Sequence, residues 1–182
     1  MAPRVTAVEP VARKCATMNH LIESAVDNVG RIITDLRPSI LDHQGLIAAL
    51  EWQLQEFIEA TELRCDAQVR VAPDATEVVP EASLATAAFR IFQEMLSNVA
   101  RHAQASSLII RIDLSLQTLQ MTVEDNGIGA SKAALSHATS DGVMGMHERA
   151  LYFGGTLTLD SSTGHGTRVC LTLPMRLAPA AA

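Results

Sequence analysis

The sequence predicts an α+β fold, a two-layer α/β sandwich in which helices cover one face of a mixed, mostly antiparallel sheet. Apolar residues recur with helical spacing over 81–103, and two alternating segments, 107–116 and 118–125, then follow each other directly. A helix ending at two glycines precedes two more alternating segments, 155–160 and 167–173. Strands joined by short connections pair antiparallel, which favours this sheet over a parallel one.

Composition limits the function. The chain has 182 residues, 48% of them hydrophobic and 3% aromatic, and a net charge of −6 without a Lys/Arg cluster. This argues against a nucleic-acid surface and against contact with an anionic membrane. Its three cysteines lack paired or metal-like spacing, no apolar run reaches the roughly 18 residues that span a bilayer, and no signal-peptide segment begins the chain. We expect a cytoplasmic domain, which a longer parent protein could anchor to a membrane.

The first element is a long helix over residues 8–36, where apolar residues step alternately by four and three. The repeating positions are Val11, Cys15, Met18, Ile22, Ala25, Val29, Ile32 and Leu36. Such a heptad seam is typical of a helix that packs in a bundle or dimer, so we expect self-association as a homodimer through it. Pro38 ends the helix, and Gly45 completes a turn over 36–46.

A second helix, about 46–60, has one apolar face, and residues 65–73 alternate as a strand. That apolar face comprises Leu46, Leu50, Leu54 and Phe57. The helix over 81–103 follows, and seven of its residues form the face expected to be buried. These are Ala88, Phe89, Phe92, Met95, Leu96, Val99 and Ala103.

Polar residues border that face. Glu94, Asn98 and His102 are spaced by four, which aligns them along an α-helix. They could form a solvated edge, where Arg101 and His102 complement the helix dipole. They could also hold a metal ion and a phosphate chain, because an amide oxygen is a ligand for Mg²⁺. The pattern leaves both interpretations open.

Two strand ends carry polar residues in the apolar phase. Asp125 ends one strand in phase with Leu119, Met121 and Val123, and Thr167 opens another. Asp125 could simply form a turn with its own backbone. A calcium-binding loop is not supported, because the sequence lacks the further acidic ligands that such a loop has at alternate positions. Two such positions, with glycines beside both that we expect to loosen the backbone, favour a pocket whose floor accepts hydrogen bonds.

Gly142 and Gly145 are predicted to precede a helix over 143–153, with a short helix at 131–137 before them. Free N–H groups at a helix start bind anions, and glycine lets a phosphate approach the main chain. The stretch is neither a Walker A motif nor a Rossmann fingerprint.

Together, four blocks resemble sensor histidine kinases of two-component systems. "FQEMLSNVARHA" resembles their N box and "VEDNGIGA" their first glycine box. "GVMGMHERALYFGGTLTLDSSTGHGT" is similar to the second glycine box with the closing G-x-G-T, and "LRPSILDHQGLIAALEWQLQEF" to the end of the dimerisation domain in the nitrate-sensor-like class. The resemblance covers residues 8–174 and implies the Bergerat fold of the gyrase/histidine kinase/mismatch-repair ATPases.

The resemblance also implies roles for single residues. Nucleotide ligands would be Asn98, Arg101, His102, Asp125, Gly127, Gly129, Gly142, Gly145 and Thr167. Asn98 would coordinate Mg²⁺ on the ATP phosphates, with Arg101 and His102 near them. Glu94 would be the catalytic residue that orients or deprotonates the attacking group. Asp125 would accept from the adenine amino group, and Thr167 would reach adenine through a water.

The remaining residues have subsidiary roles in this resemblance. Gly127 and Gly129 would shape the base pocket, whereas Gly142 and Gly145 would act as hinges and ligands in an ATP lid over about 130–145. The chemistry implied is phosphoryl transfer with ATP and Mg²⁺ as cofactors.

The sequence departs from the family at the phosphoacceptor. The family's H box, a histidine followed by an acidic residue on the first dimerisation helix, is missing: Leu21 follows His20, and His43 falls in a predicted turn. We therefore expect residues 1–44 to be a partial dimerisation region, 45–176 the catalytic ATP-binding domain, and 177–182 a tail. Phosphate would pass to a histidine outside this sequence, and onward to an aspartate of a response regulator.

Two other functions share part of this pattern. An anti-sigma-factor-type serine kinase has the same kind of ATP site but lacks a dimerisation hairpin, which "LRPSILD" and the heptad helix argue against. A non-catalytic dimerising or nucleotide-binding interaction module is opposed by the intact Asn98, Asp125 and Thr167.

Overall fold

The computed structural model describes Met18 and residues 39–76, 78–131 and 141–175. The long helix predicted over 8–36, almost all of the short helix predicted at 131–137, and the tail at 177–182 lie outside the described residues. Contacts divide the chain into two units, residues 1–38 and 39–182. The second unit is described below.

Four α-helices are described in this unit: α1 (Ser39–His43), α2 (Gly45–Ala60), α3 (Ala82–Asn98) and α4 (Asp141–Tyr152). The turn predicted over 36–46 instead contains α1, whose Leu41 is buried in the core. Gly45, at φ +82, is the turn between α1 and α2. His43 therefore ends a short helix and is exposed.

Five strands form one sheet: β1 (Arg64–Val71), β2 (Ser107–Leu114), β3 (Thr118–Asp125), β4 (Thr156–Ser161) and β5 (Thr167–Pro174). Their order is β1-β2-β3-β5-β4. Only the β1–β2 pair of this sheet is parallel, and the other three pairs are antiparallel. The predicted mixed, mostly antiparallel sheet is thus confirmed.

Two strands end earlier than predicted. A 3₁₀ turn, Pro73–Ala75, follows β1, because proline at its start cannot donate to a strand ladder. β2 ends at Leu114, and Leu116 is 42% exposed in the turn to β3 rather than buried in the strand phase. The Ser115 hydroxyl accepts from the Thr118 N–H at 3.0 Å and closes that turn.

The core lies between the helices and one sheet face. Phe89 and Phe92 of α3 are fully buried, and so are alternate residues of the central strands, such as Ile110 and Met121, whereas the intervening Ile109 is exposed. α3 packs against α2 and α4. All seven residues of the face predicted for 81–103 are buried. Within the described residues, no helix is both long and apolar enough to cross a membrane.

The helix predicted to run unbroken to residue 103 changes form. α3 ends at Asn98, and Val99–Ala103 form one turn of π-helix. Gln104 then adopts a left-handed conformation, φ 49 and ψ 38. His102 therefore lies on the π-helical turn, whereas Glu94 and Asn98 lie on α3.

Candidate active site

One row of residues crosses four strands at the same end of the sheet. Leu108 of β2 pairs with Asp125 of β3, Asp125 with Thr167 of β5, and Thr167 with Ser161 of β4. Directly paired residues point to the same face of a sheet, here the face that the helices cover. The structure therefore brings Asp125 and Thr167 together, as their strand phases predict.

Asp125 is the one charged side chain buried among the described residues, at 7% exposure. Its Oδ1 accepts the Gly127 N–H at 2.8 Å. Its Oδ2 has no hydrogen bond within the part of the chain that the structure describes. The turn interpretation is thus seen in the structure, and the second oxygen leaves the role of Asp125 as an acceptor for a ligand a prediction.

The sequence led us to expect that the glycines near Asp125 loosen the backbone. In the structure they instead let backbone segments pack closely. A Cβ on Gly127 would lie 2.0 Å from the Ala103 carbonyl oxygen, and one on Gly129 would lie 2.1 Å from that of Ser162. Gly166 has φ +75, and a Cβ there would lie 1.9 Å from the Asp125 carbonyl oxygen. Any side chain at these positions would collide with main chain.

Hydrogen bonds join the same segments. The Ile128 N–H donates to the Ala103 carbonyl of the π-helix at 2.8 Å, and the Gly164 N–H donates to the Ile128 carbonyl at 2.7 Å. We call residues 125–130 and 161–167 the base end of the site. Through Ala103, the base end is bonded directly to the end of the π-helix.

Sequence reasoning missed two residues of the base end. The Asn126 Oδ1 accepts the N–H groups of Ser106 and Ser107, each at 2.9 Å, and so fixes the start of β2 to the loop. The Ser161 hydroxyl contacts Ala130, Gly166 and Thr167. A strand predicted to end at residue 160 leaves Ser161 in the following connection, where its inward phase is not apparent.

The other half of the site, which we call the phosphate end, comprises residues 94–102 and the first turn of α4. Glu94 and Asn98 are half-buried on α3, one helical turn apart, whereas Arg101 and His102 are exposed on the π-helix. A Cβ on Gly142 would lie 2.1 Å from the Glu94 Oε1, so the Glu94 carboxyl packs directly against Gly142. A carboxylate beside a helix N-terminus is electrostatically favourable.

The start of α4 corrects the interpretation of Gly142 and Gly145. The helix begins at Asp141, so both glycines lie inside it rather than before it. Gly142, in the first turn, has an N–H without an α-helical acceptor, whereas the N–H of Gly145 is already within reach of the Asp141 carbonyl. Gly142 is therefore the better placed of the two to offer an N–H to an anion, and the binding roles of both stay predictions.

A cavity of about 260 Å³ opens at the base end. Asp125, Ser161 and Thr167 line it, together with Glu124 and Arg168 from the uncovered sheet face. Glu94 and Asn98 do not line it. The cavity therefore lies at the base end of the site and not at the phosphate end.

Comparison with known proteins decides the family. The family model described as "Histidine kinase-, DNA gyrase B-, and HSP90-like ATPase" matches residues 84–177, which include the whole row and the phosphate end. The chain belongs to this ATPase family. The recognition from the four sequence blocks is confirmed, and the family's function gives ATP as the ligand.

The curated relatives of this chain include sensor histidine kinases. The chain is 34% identical over 84% of its length to the sensor histidine kinase MctS of Rhizobium johnstonii. It is also 34% identical over 82% of its length to the histidine-protein kinase/phosphatase UhpB of Salmonella typhimurium. The chain spans 32% and 29% of these two relatives.

Solved structures show the same fold. The histidine kinase domain of the blue-light activated kinase EL346 of Erythrobacter litoralis superposes with a TM-score of 0.52 at 20% identity. The alignment covers 70% of this chain and 61% of that one. The α+β sandwich predicted from the sequence is therefore the fold of histidine kinase ATP-binding domains.

Proposed function

We propose that this histidine kinase ATPase domain binds Mg²⁺-ATP with its base at Asp125 and its phosphates at Asn98, and transfers the γ-phosphate to a histidine. The observation that carries the proposal is the buried Asp125, whose Oδ2 has no hydrogen bond among the described residues. Asp125 lines the cavity of the base end, so a carboxylate oxygen without a protein partner is available there to accept a hydrogen bond from a ligand. An adenine amino group would supply the missing donor, and Thr167 lies directly beside it.

The phosphate end supports the metal. Residues of the described chain include no cluster of three His, Cys, Asp or Glu able to hold a cation. The Asn98 amide, which makes no hydrogen bond to any described residue, is instead suited to Mg²⁺, which prefers few protein ligands together with phosphate oxygens and water. When bound, the metal would neutralise phosphate charge. Arg101 and His102 would add positive charge nearby, and the Gly142 N–H would face the phosphate chain, while Gly145 would serve as part of the lid.

Glu94 is proposed as the catalytic carboxylate. It is half-buried and one turn from Asn98, so a nucleophile approaching the terminal phosphate would meet it. Its present contact with Gly142 holds the carboxyl at the start of α4. For the reaction, Glu94 would orient the attacking imidazole, and positioning would supply most of the acceleration.

The wider function belongs to the same proposal. The acceptor histidine would lie on an H-box helix outside this sequence, and a response-regulator aspartate would receive the phosphate next. The 8–36 helix would form a homodimer in the full-length protein, as the second helix of a dimerisation region reaching to residue 44. Catalysis by 45–176 would take place in the cytoplasm.

Titration with a non-hydrolysable ATP analogue tests the binding roles. We expect wild type to bind the analogue more tightly with Mg²⁺ than without it. In Asn98→Ala, the factor by which Mg²⁺ increases the affinity should fall at least about tenfold, because the proposed metal ligand is gone. Ser97→Ala, at the neighbouring position, is the control and should behave as wild type. No binding at millimolar analogue, or an unchanged Mg²⁺ dependence in Asn98→Ala, would contradict the proposal.

Transfer is tested separately by adding ATP and a polypeptide that carries an H-box helix. We expect acid-labile phosphate on that helix, and a loss of about 100-fold in rate for Glu94→Gln. If ATP binds and no phosphohistidine forms with any H-box helix tried, the transfer step is wrong while the binding roles stand.

A further inference from the structure

Ser161 makes three short contacts at the floor of the base end. Its Oγ accepts the Ala130 N–H at 2.8 Å, lies 3.1 Å from the Gly166 carbonyl oxygen, and lies 2.9 Å from the Thr167 Oγ1. It is half-buried and lines the same cavity as Asp125 and Thr167. Neither the family match nor the sequence blocks assign it a role.

Counting protons determines the direction of these bonds. A serine hydroxyl has one proton and two lone pairs. The Ala130 N–H uses one lone pair, and the Gly166 carbonyl can only accept, so it takes the proton. The second lone pair then accepts from the Thr167 hydroxyl. In the opposite arrangement, the carbonyl of the buried Gly166 would lose its hydrogen bond from Ser161, which is costly.

These bonds fix the direction in which the Thr167 hydroxyl donates. Once its proton points to Ser161, the Thr167 Oγ1 offers lone pairs alone to the site. The Asp125 Oδ2, in register beside it, is also an acceptor. Two adjacent acceptors match the amino group of adenine and oppose the oxo group at the same position of hypoxanthine or guanine.

We infer that Ser161 is a positioning residue that selects adenine over 6-oxopurines by holding the Thr167 hydroxyl as an acceptor. The inference rests on the proposed function, since it needs the base at Asp125. Without Ser161, the Thr167 hydroxyl would be free to turn and donate to an oxo group, or to the water through which Thr167 would reach the base. Ser161 would thus act through Thr167 and would not itself touch the base.

Calorimetric titration with ADP and with inosine diphosphate tests this. We expect wild type to prefer ADP. In Ser161→Ala, the Kd for inosine diphosphate divided by the Kd for ADP should fall about tenfold, mainly because inosine diphosphate binds more tightly. Ser161→Thr, which keeps the hydroxyl, should restore the ratio. Thr158→Ala is the matched control: this residue is exposed on the same strand, lies outside the cavity, and its side chain makes no hydrogen bond to any described residue.

A double-mutant cycle separates a positioning role from a structural one. In the Thr167→Val background, Ser161→Ala should change the ratio less than about twofold, because the hydroxyl that it orients is gone. An equal change in both backgrounds would overturn the inference, as would an unchanged ratio in Ser161→Ala. If wild type binds neither nucleotide, the proposed function itself fails.

Folding is monitored by the thermal unfolding midpoint of each variant. If Ser161→Ala does not fold, Ser161→Cys replaces it, since a thiol has similar shape but is a weak donor and acceptor. The same loss of ADP preference is expected. A ratio equal to that of wild type in Ser161→Cys would then overturn the inference.

Discussion

The two ends of the site are built from different contacts. At the base end, main chain packs on main chain, with Gly127, Gly129 and Gly166 each facing a carbonyl oxygen. At the phosphate end, the corresponding contact is between Gly142 and the far end of the flexible Glu94 side chain. A carbonyl of the backbone cannot move aside, whereas a glutamate can change rotamer. The base end is therefore fixed in shape, and the phosphate end can adjust.

The largest expected effect is that of a substitution at the base end. Gly166→Ala would place a Cβ 1.9 Å from the Asp125 carbonyl oxygen at a φ of +75. We expect the free energy of unfolding to fall by at least about 3 kcal/mol, from backbone strain together with the collision. Urea denaturation measures it.

Gly164→Ala is the matched control. This glycine has φ +80, but a Cβ there would meet nothing within 4 Å. It should cost about 1–2 kcal/mol from the left-handed conformation alone. Equal losses in the two variants would show that close backbone packing is not what requires glycine at residue 166.

A smaller effect sharpens the comparison at the phosphate end. Gly142→Ala should change the free energy of unfolding by less than about 1 kcal/mol, because the better helix propensity of alanine is offset by displacement of Glu94. In a Glu94→Ala background, the same substitution should stabilise by up to about 1 kcal/mol more than it does in wild type.

Gly145→Ala controls for helix propensity. A Cβ there would lie 3.0 Å from the Arg149 Nη1, at the end of an exposed side chain on the same helix. Its effect should be equal with and without Glu94. If the effect of Gly142→Ala on the free energy of unfolding is also equal with and without Glu94, the contact between Glu94 and Gly142 contributes nothing to stability.

The smallest expected effect lies outside both ends, on the uncovered sheet face. The hydrogen bond and charge of Arg111, at 2.7 Å, lower the pKa of Asp66. A lowered pKa stabilises the folded state above the ordinary pKa of aspartate, about 3.9, and the benefit disappears as pH falls through the folded value.

Asp66→Asn should therefore be slightly less stable than wild type at pH 7 and equal to it once wild-type Asp66 is protonated. Because the pair is exposed, added salt should shrink the difference at pH 7. Thermal unfolding against pH measures this, with the exposed Asp74→Asn as control. A difference that grows on acidification would contradict the assignment.

The sequence predicts those parts of the site that depend on local periodicity. Asp125 and Thr167 can be found from it because alternation along a strand is a local property, and β3 has the predicted bounds. The buried face of α3 follows from helical spacing in the same way. The catalytic and ligand roles of these residues stay predictions.

Other parts depend on contacts between distant segments. The π-helix at Val99–Ala103 ends in a left-handed Gln104 and is bonded to Ile128, and nothing within "VARHA" indicates this. The role of Ser161 needs partners on three segments, and the contact of Glu94 with Gly142 joins two separate helices. Periodicity within one element cannot report such pairs.

ADP binding by Asp125→Asn tests most directly whether the base binds at this carboxylate. Asparagine keeps the oxygen that accepts the Gly127 N–H and replaces the Oδ2 acceptor with a donor. We predict an unfolding midpoint close to that of wild type. ADP affinity should fall by roughly 10- to 100-fold, because a hydrogen bond to a charged group contributes about 1.5–3 kcal/mol. Wild-type affinity in a folded Asp125→Asn would show that the base does not bind there.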